Sequence, residues 1–319
     1  MSVPFSQFRV DFSTQNFLIA DRLNQSISFH DSEGSTIFNA KLYSSTHIYL
    51  IESQRLIDTS YVSFANEVNT TSPIVEQYSN KMKDSIREHL TEYGVVSQSL
   101  DRTFPSRAFT HDTQPEASQN NLQERIEELE LTRSRIISIG LLEEDPTFKL
   151  PSLSQIFAED VSDTISKRIL SIYVDDAERK LHVFHEISKK MELFQRIINR
   201  KFSCSRKEID FSKNDGFVLK VKDKISNPEW DDLRPIHLSS GEQHELVMLY
   251  ELLFKVETGS LVLIDEPELS LHVGWQVDFL KDLQAIIKLT NIQILIATHS
   301  PDIIQDRWDL TVELKGPQA

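Results

Sequence analysis

Residues 261–266 read Leu-Val-Leu-Ile-Asp-Glu, an unbroken aliphatic run that ends on two adjacent acids. A half-exposed strand alternates apolar and polar positions, whereas a strand buried on both faces stays apolar throughout. A strand of the second kind needs helices on its sheet, which points the last third of the chain to a parallel α/β layer. The flanking pattern agrees: a helix over 241–255, this strand over 261–265, a helix over 274–288 and a second aliphatic strand over 292–297 follow in order. Open α/β sheets bind ligands at the carboxyl ends of their strands, where Asp265 and Glu266 fall. There one carboxylate can hold Mg²⁺ beside a nucleotide phosphate, and its neighbour can accept a proton from an attacking water or orient it. Asp265 suits the first role and Glu266 the second. The plainer alternative is that both acids, with Glu268 after them, cap the following helix, whose positive dipole end favours them.

Two further segments carry chemistry. In LSSGEQHELVMLYELLF, residues 238–254, Ser239 or Ser240 can cap a helix with an apolar face of Leu246, Leu249 and Leu253, and Gly241 allows close backbone approach to a ligand. Free N–H groups and the dipole make such a helix start an anion site, although the same residues also describe an ordinary capped helix. In ILIATHSPDII, residues 294–304, an aliphatic strand ends in Thr298, His299 and Ser300. A histidine there, beside the acids of a neighbouring strand, can hydrogen-bond a terminal phosphate and the attacking water; alone it reads as a structural histidine.

The remainder of the chain is organised differently. Short alternating runs over residues 3–52 read as several antiparallel strands. Ile74, Tyr78, Met82, Ile86 and Leu90 form one face of a helix over 73–91 that Gly94 is expected to end. Residues 101–120, with two prolines, read as a connector, and helices follow over 121–142 and 177–200; these two read as a short antiparallel arm, too short for a long coiled coil. Alternation around Asn214-Asp215-Gly216 marks a β-hairpin. The expected organisation is an antiparallel β part over 1–60, a mainly helical insertion over 61–200 and a lobe carrying the chemical motifs over 201–319.

The formal net charge of −15, from 49 acids and 34 bases, argues against a chain that coats nucleic acid with its whole surface. A local patch is the exception: Lys189, Lys190, Arg196, Arg200, Lys201, Arg206 and Lys207 face only Glu192 within 189–207, which reads either as a DNA or RNA contact or as a solvated helix face. A single cysteine, Cys204, excludes an intrachain disulfide framework. No apolar run approaches the ~20 residues of a membrane span, and the start lacks the layout of a signal peptide, so the expectation is a cytoplasmic protein without membrane association.

Taken together, LSSGEQ resembles an ABC signature motif, LVLIDEPE a Walker B strand with its catalytic glutamate, PELSLH a D-loop, and ATHSP an H-loop or switch histidine. The resemblance is to ABC-type ATPases with an OLD-like or SMC-like head, and among them to the ATPase subunits of bacterial anti-phage systems such as Septu and the retron-associated ATPases. IYLIESQRL, residues 48–56, and SQSLDRTFPSR, residues 97–107, extend the likeness into the first half. It implies a P-loop NTPase-like parallel sheet with an antiparallel β-subdomain and a helical insertion. Asp265 would hold Mg²⁺, Glu266 would polarise water and His299 would sense the γ-phosphate of ATP. Ser239, Ser240, Gly241 and Gln243, with Ser270 in the D-loop, would contact nucleotide across a dimer of heads, and Gln54 would stand at the Q-loop, unless it is an ordinary strand-end glutamine. The implied protein is an ATP-hydrolysing subunit of a defence complex, a homodimer or higher oligomer that controls a nuclease effector. A non-catalytic scaffold or a DNA-repair ATPase of the same fold are the alternatives.

One part of that pattern is missing. The family cradles phosphates with a Gly-x-x-x-x-Gly-Lys-Ser/Thr loop, and none of the eight glycines here precedes Lys-Ser or Lys-Thr. The expectation is that a Walker A segment lies in a preceding segment or a separate chain, unless it has been lost, and that residues 1–319 alone do not hydrolyse ATP. Loss of that strand and helix is expected to leave an apolar sheet surface open and prone to aggregation.

Overall fold

The computed structural model describes residues 7–11, 17–21, 26–30, 48–51, 74–110, 119–144, 164–222 and 230–312. The chain runs β1 (Gln7–Asp11), β2 (Phe17–Asp21), β3 (Ser26–His30), β4 (Ile48–Ile51), α1 (Ile74–Thr110), α2 (Gln119–Ser138), α3 (Thr164–His182) and α4 (His185–Phe202). It continues with β5 (Lys207–Ser212), β6 (Gly216–Lys222), β7 (Trp230–Leu233), α5 (Ser240–Tyr250), β8 (Leu261–Asp265), α6 (Val273–Thr290), β9 (Gln293–Ala297) and α7 (Pro301–Ile304). The result is a mixed α/β architecture, with one parallel sheet, separate antiparallel sheets and a helical block, as the residue pattern implies.

The aliphatic run 261–264 forms the middle strand of the parallel sheet, in the order β4-β8-β9. Ile51, Ile264 and Ile296 lie in one row across it, and Leu50, Leu263 and Leu295 in the next. The two faces are not equally covered. Val262 and Ile264 are fully buried, whereas Leu263 is half-buried and Leu50 is 59% exposed. Among the described residues the continuous apolar run therefore reports one packed face and one face left partly open. Residues 48–51 are also a correction: they are not a further antiparallel strand of the N-terminal region, because β4 pairs in parallel with β8. Residues 7–30 do form the antiparallel meander, in the order β1-β2-β3.

Gly94 does not end the first helix. Helix α1 continues for 37 residues through Gly94 and Pro105 to Thr110, about 55 Å at 1.5 Å per residue, and takes in half of the segment read as a connector. Tertiary partners override the local breakers. Tyr93, beside the glycine, packs on Phe184 with ring centroids 5.3 Å apart. Near Pro105, which has no N–H to donate, the Arg107 guanidinium donates to the Leu100 carbonyl at 2.8 Å and pairs with Asp176 on α3 at 2.6 Å. Lys180 to Asp101, and Arg125 to Asp175 and Glu178, further tie α3 to α1 and α2. The helix expected over 177–200 is two helices, broken at Phe184, whose N–H bonds Leu181 in a tight turn.

Helices α1 and α4 pack on the β5–β6 hairpin and on α5. Phe194, fully buried on α4, contacts Phe211, Phe217 and Phe254, and Tyr78 of α1 stacks on Tyr250 at 4.4 Å. Burial pushes the Tyr250 hydroxyl up to about 12. The hairpin turn is fixed against α1: the Ser79 hydroxyl donates to the Asp215 carbonyl and accepts from the Phe217 N–H, both at 2.8 Å. Gly216 is required there, since φ is +74° and a Cβ would lie 1.9 Å from the Ser79 carbonyl oxygen.

Candidate functional site

Strands β8 and β9 end side by side, with Asp265 opposite Ala297, and this brings the predicted acids and His299 together. Asp265 is exposed at the tip. Glu266 leaves the sheet with φ +41° and ψ +57°, a left-handed conformation that a residue before proline ordinarily avoids. Such a residue stores about 1–3 kcal/mol and persists only where its surroundings impose it. Here the Glu266 N–H donates to the Ala297 carbonyl at 2.9 Å, and the Glu266 carbonyl accepts from the Leu269 N–H at 3.2 Å. The turn swings the Glu266 carboxylate over to β9, where Oε1 lies 3.3 Å from His299 Nε2. The imidazole is 73% exposed and the carboxylate 36%, so both ends of the pair reach solvent. Glu266, Glu268, Leu269, Gln276, His299 and Ser300 line a shallow cavity of about 320 Å³.

The helix start lies close by. Ser239, not Ser240, is the cap of α5: its hydroxyl accepts from the Glu242 N–H at 3.3 Å, and its own N–H donates to Glu242 Oε2 at 2.7 Å. This reciprocal Ser-x-x-Glu arrangement is legible in the sequence, and it assigns Glu242 a role that the reading of signature residues passed over. Burial opposes ionisation of Glu242, but the Lys207 ammonium, the Ser205 hydroxyl and the Ser239 N–H together outweigh it and hold the carboxyl below its ordinary range. Gln243 is engaged locally, donating to the Leu238 carbonyl at 2.9 Å. Gly241 touches the turn after β8: a Cβ on it would lie 3.1 Å from the Ser270 carbonyl oxygen, so the two segments pack within one chain. Ser270 itself donates to the Pro267 carbonyl at 3.3 Å.

The two segments are also joined beneath the surface. Lys201 of α4 reaches Glu245 of α5 at 2.5 Å and Asp282 of α6 at 3.3 Å, and Arg200 meets Asp282 at 2.5 Å. The side chains of Lys201, Glu245 and Asp282 are 2%, 0% and 5% exposed. Of the basic stretch, Arg200, Lys201 and Lys207 are thus engaged with acids of the chain itself, while Arg196 and Arg206 are exposed. Gln54 lies outside the described residues. Among the described residues no group of three or more His, Cys, Asp or Glu side chains is placed to enclose a metal ion, and no helix is long and apolar enough to cross a membrane.

Parallel strands that end at Asp265 and Ala297, with Glu266 and His299 just beyond them and a capped helix start alongside, make this an α/β protein with a polar cluster at its strand ends. The chain belongs to the AAA domain family described as putative AbiEii toxin, type IV TA system, which matches residues 68–305. It is 30% identical over 132 residues to Protein ea59 of Escherichia phage lambda, covering 40% of this chain and 25% of that protein. It is 27% identical over 169 residues to the Retron Ec83 probable ATPase of Escherichia coli, covering 48% of this chain and 29% of that protein. The matches therefore span under a third of either relative. Among solved structures, an Smc head domain from Pyrococcus furiosus, with an extended coiled coil and bound to the C-terminal domain of ScpA, aligns over 91% of this chain and 66% of its own. Its sequence identity is 12% and its TM-score 0.30, too low to bear on the fold.

Proposed function

We propose that Asp265, Glu266 and His299 form the hydrolytic part of an Mg²⁺–ATP site in a defence-associated ATPase. The observation that carries this reading is the strained Glu266, held in a left-handed conformation with its carboxylate 3.3 Å from His299 at the carboxyl ends of parallel strands. Strain of that kind concentrates at functional sites. Glu266 would accept a proton from, or orient, the attacking water, and His299 would hydrogen-bond the terminal phosphate. An exposed oxygen donor at a strand tip fits Mg²⁺, which is ordinarily held by one or two carboxylates together with waters and substrate phosphates; Asp265 would be that ligand. The bound ion would supply charge neutralisation of the phosphates.

Ser240 and Gly241, exposed or half-buried at the start of α5, would meet the nucleotide of a second head, with Ser270 beside them. ATP would then join two heads and hydrolysis would release them, passing the change to a nuclease effector. The kinship with a retron ATPase supports the defence setting. Contact with nucleic acid through the basic stretch 189–207 is a lesser part of the proposal, since Arg200, Lys201 and Lys207 already have acidic partners.

Residues 1–319 hold no Gly-x-x-x-x-Gly-Lys-Ser/Thr loop, so the phosphate cradle of this site would come from outside them. The same observation favours the second reading, a scaffold that keeps the fold without turnover. Titration of the full natural chain with a fluorescent ATP analogue separates the two. The catalytic reading expects Mg²⁺-dependent binding that Asp265→Asn weakens about tenfold or more; binding indifferent to both Mg²⁺ and Asp265 rules it out.

A further inference from the structure

The hydrogen bonds around Glu268 close into a ring. Oε1 accepts from the His299 backbone N–H at 2.6 Å, and Oε2 accepts from the Thr298 hydroxyl at 2.8 Å. The Thr298 oxygen accepts in turn from the Ser300 N–H at 3.0 Å, and the Ser300 hydroxyl donates to Gln276 Oε1 at 2.7 Å. Gln276 Nε2 completes the circuit at 3.5 Å from the Glu268 carbonyl oxygen. Three pieces of the fold meet in this ring: the turn after β8, the segment after β9 and helix α6.

The ring lies where the sheet stops holding the backbone. The β8–β9 ladder ends at Asp265 and Ala297, so residues 298–300 are beyond its register. We infer that Glu268 is a positioning residue, whose carboxylate latches residues 298–300 to the β8 turn and so sets His299 against Glu266. A glutamate suits this because it presents two acceptors and no donor, matched to a backbone N–H and a hydroxyl on consecutive residues. Ionised acceptors also make shorter and stronger hydrogen bonds than neutral ones. Glutamine would turn an N–H₂ group towards one of the two donors, and alanine would leave both unmet.

The latch has a second end. Ser270, two residues after Glu268 in the same turn, packs on Gly241 at the start of α5, where an added Cβ would lie 3.1 Å from the Ser270 carbonyl oxygen. The catalytic meaning of the latch rests on the reading of Glu266 and His299 as the hydrolytic pair; the latch itself is measurable without nucleotide.

The test uses the full natural chain with Glu268→Ala, Glu268→Gln and Thr298→Val, read by amide hydrogen exchange resolved at residues 298–300 and by ATP turnover. Glu268→Ala is expected to speed exchange at His299 about tenfold or more while β8 amides stay unchanged. It should lower kcat about tenfold with KM within about twofold, the signature of a lost transition-state arrangement. Glu268→Gln and Thr298→Val should fall between wild type and alanine in both measurements, and Thr298→Val serves if Glu268→Ala does not fold. Unchanged exchange at His299 overturns the latch. Faster exchange with wild-type kcat, in a chain that Glu266→Gln inactivates, overturns its positioning role. If Glu266→Gln leaves turnover intact, the functional reading fails, and the exchange data still decide the latch.

Discussion

Replacing Lys201 by methionine tests how the lobe that carries the site is held together. Lys201 Nζ lies 2.5 Å from Glu245 and 3.3 Å from Asp282, and all three side chains are at least 95% buried. At an effective dielectric of about 20, charges at these separations attract by about 7 and 5 kcal/mol, most of which is offset by the cost of removing them from water. The decisive quantity is what Lys201→Met leaves behind. Asp282 keeps Arg200, which donates to both its oxygens at 2.5 and 2.7 Å. Among the described residues Glu245 keeps no partner, since its Oε2 already has none. The loss should therefore approach the about 3–5 kcal/mol of a broken buried pair, a large part of the about 5–15 kcal/mol that holds a typical protein. Adding Glu245→Met removes the orphaned charge and should return the protein to within about 1 kcal/mol of wild type. Urea unfolding followed by fluorescence measures this directly, with Trp275, whose ring lies 6.0 Å from Lys201 Nζ, as a local reporter. A single variant that loses less than about 1 kcal/mol, or a double variant as unstable as the single one, would refute the reasoning.

Other changes follow from the same structure. Gly216→Ala forces a Cβ against the Ser79 carbonyl at a φ of +74°, and thermal unfolding should register a loss of about 2 kcal/mol or more. Glu266→Gly relieves a left-handed conformation and removes only a solvent-reaching contact, so it should raise stability by about 1 kcal/mol even as it removes the proposed base; a lower melting temperature would show that the turn is not strained. Because the folded-state pKa of Glu242 is depressed, its stabilising contribution is present above the ordinary glutamate range of about 4.3 and is lost as pH falls through the lower folded value. Lys207→Met removes the strongest opposing partner, so stability should climb less steeply with pH through the acidic range below the ordinary glutamate value than in wild type; an identical slope would remove Lys207 as the cause.

What the residues disclosed depended on how local the determining interaction was. The strand 261–265, the capped helix after Ser239 and the hairpin at Gly216 follow from periodicity and turn chemistry within a few positions, and they are where the pattern places them. The breakers Gly94 and Pro105 misled because their effect is countered from other elements, by Phe184 and by Asp176 through Arg107. The four-residue strand 48–51 gives no sign that its partner lies beyond residue 260. The basic run 189–207 gives none that Lys201 is buried on Glu245. Within the proposed site, Asp265, Glu266 and His299 were legible as residues at or just past strand ends. Glu268 was not, because its donors lie 30 and 31 residues away and only the fold brings them to it.

If the Glu266 carboxylate serves hydrolysis of a nucleotide, steady-state ATP turnover by the full natural chain depends on it, and Glu266→Gln is the decisive comparison. Glutamine keeps the size and much of the hydrogen bonding but cannot take a proton. Turnover of the variant should then fall by about 100-fold or more, with Mg²⁺-dependent ATP binding retained. Turnover equal to wild type in the variant would contradict it.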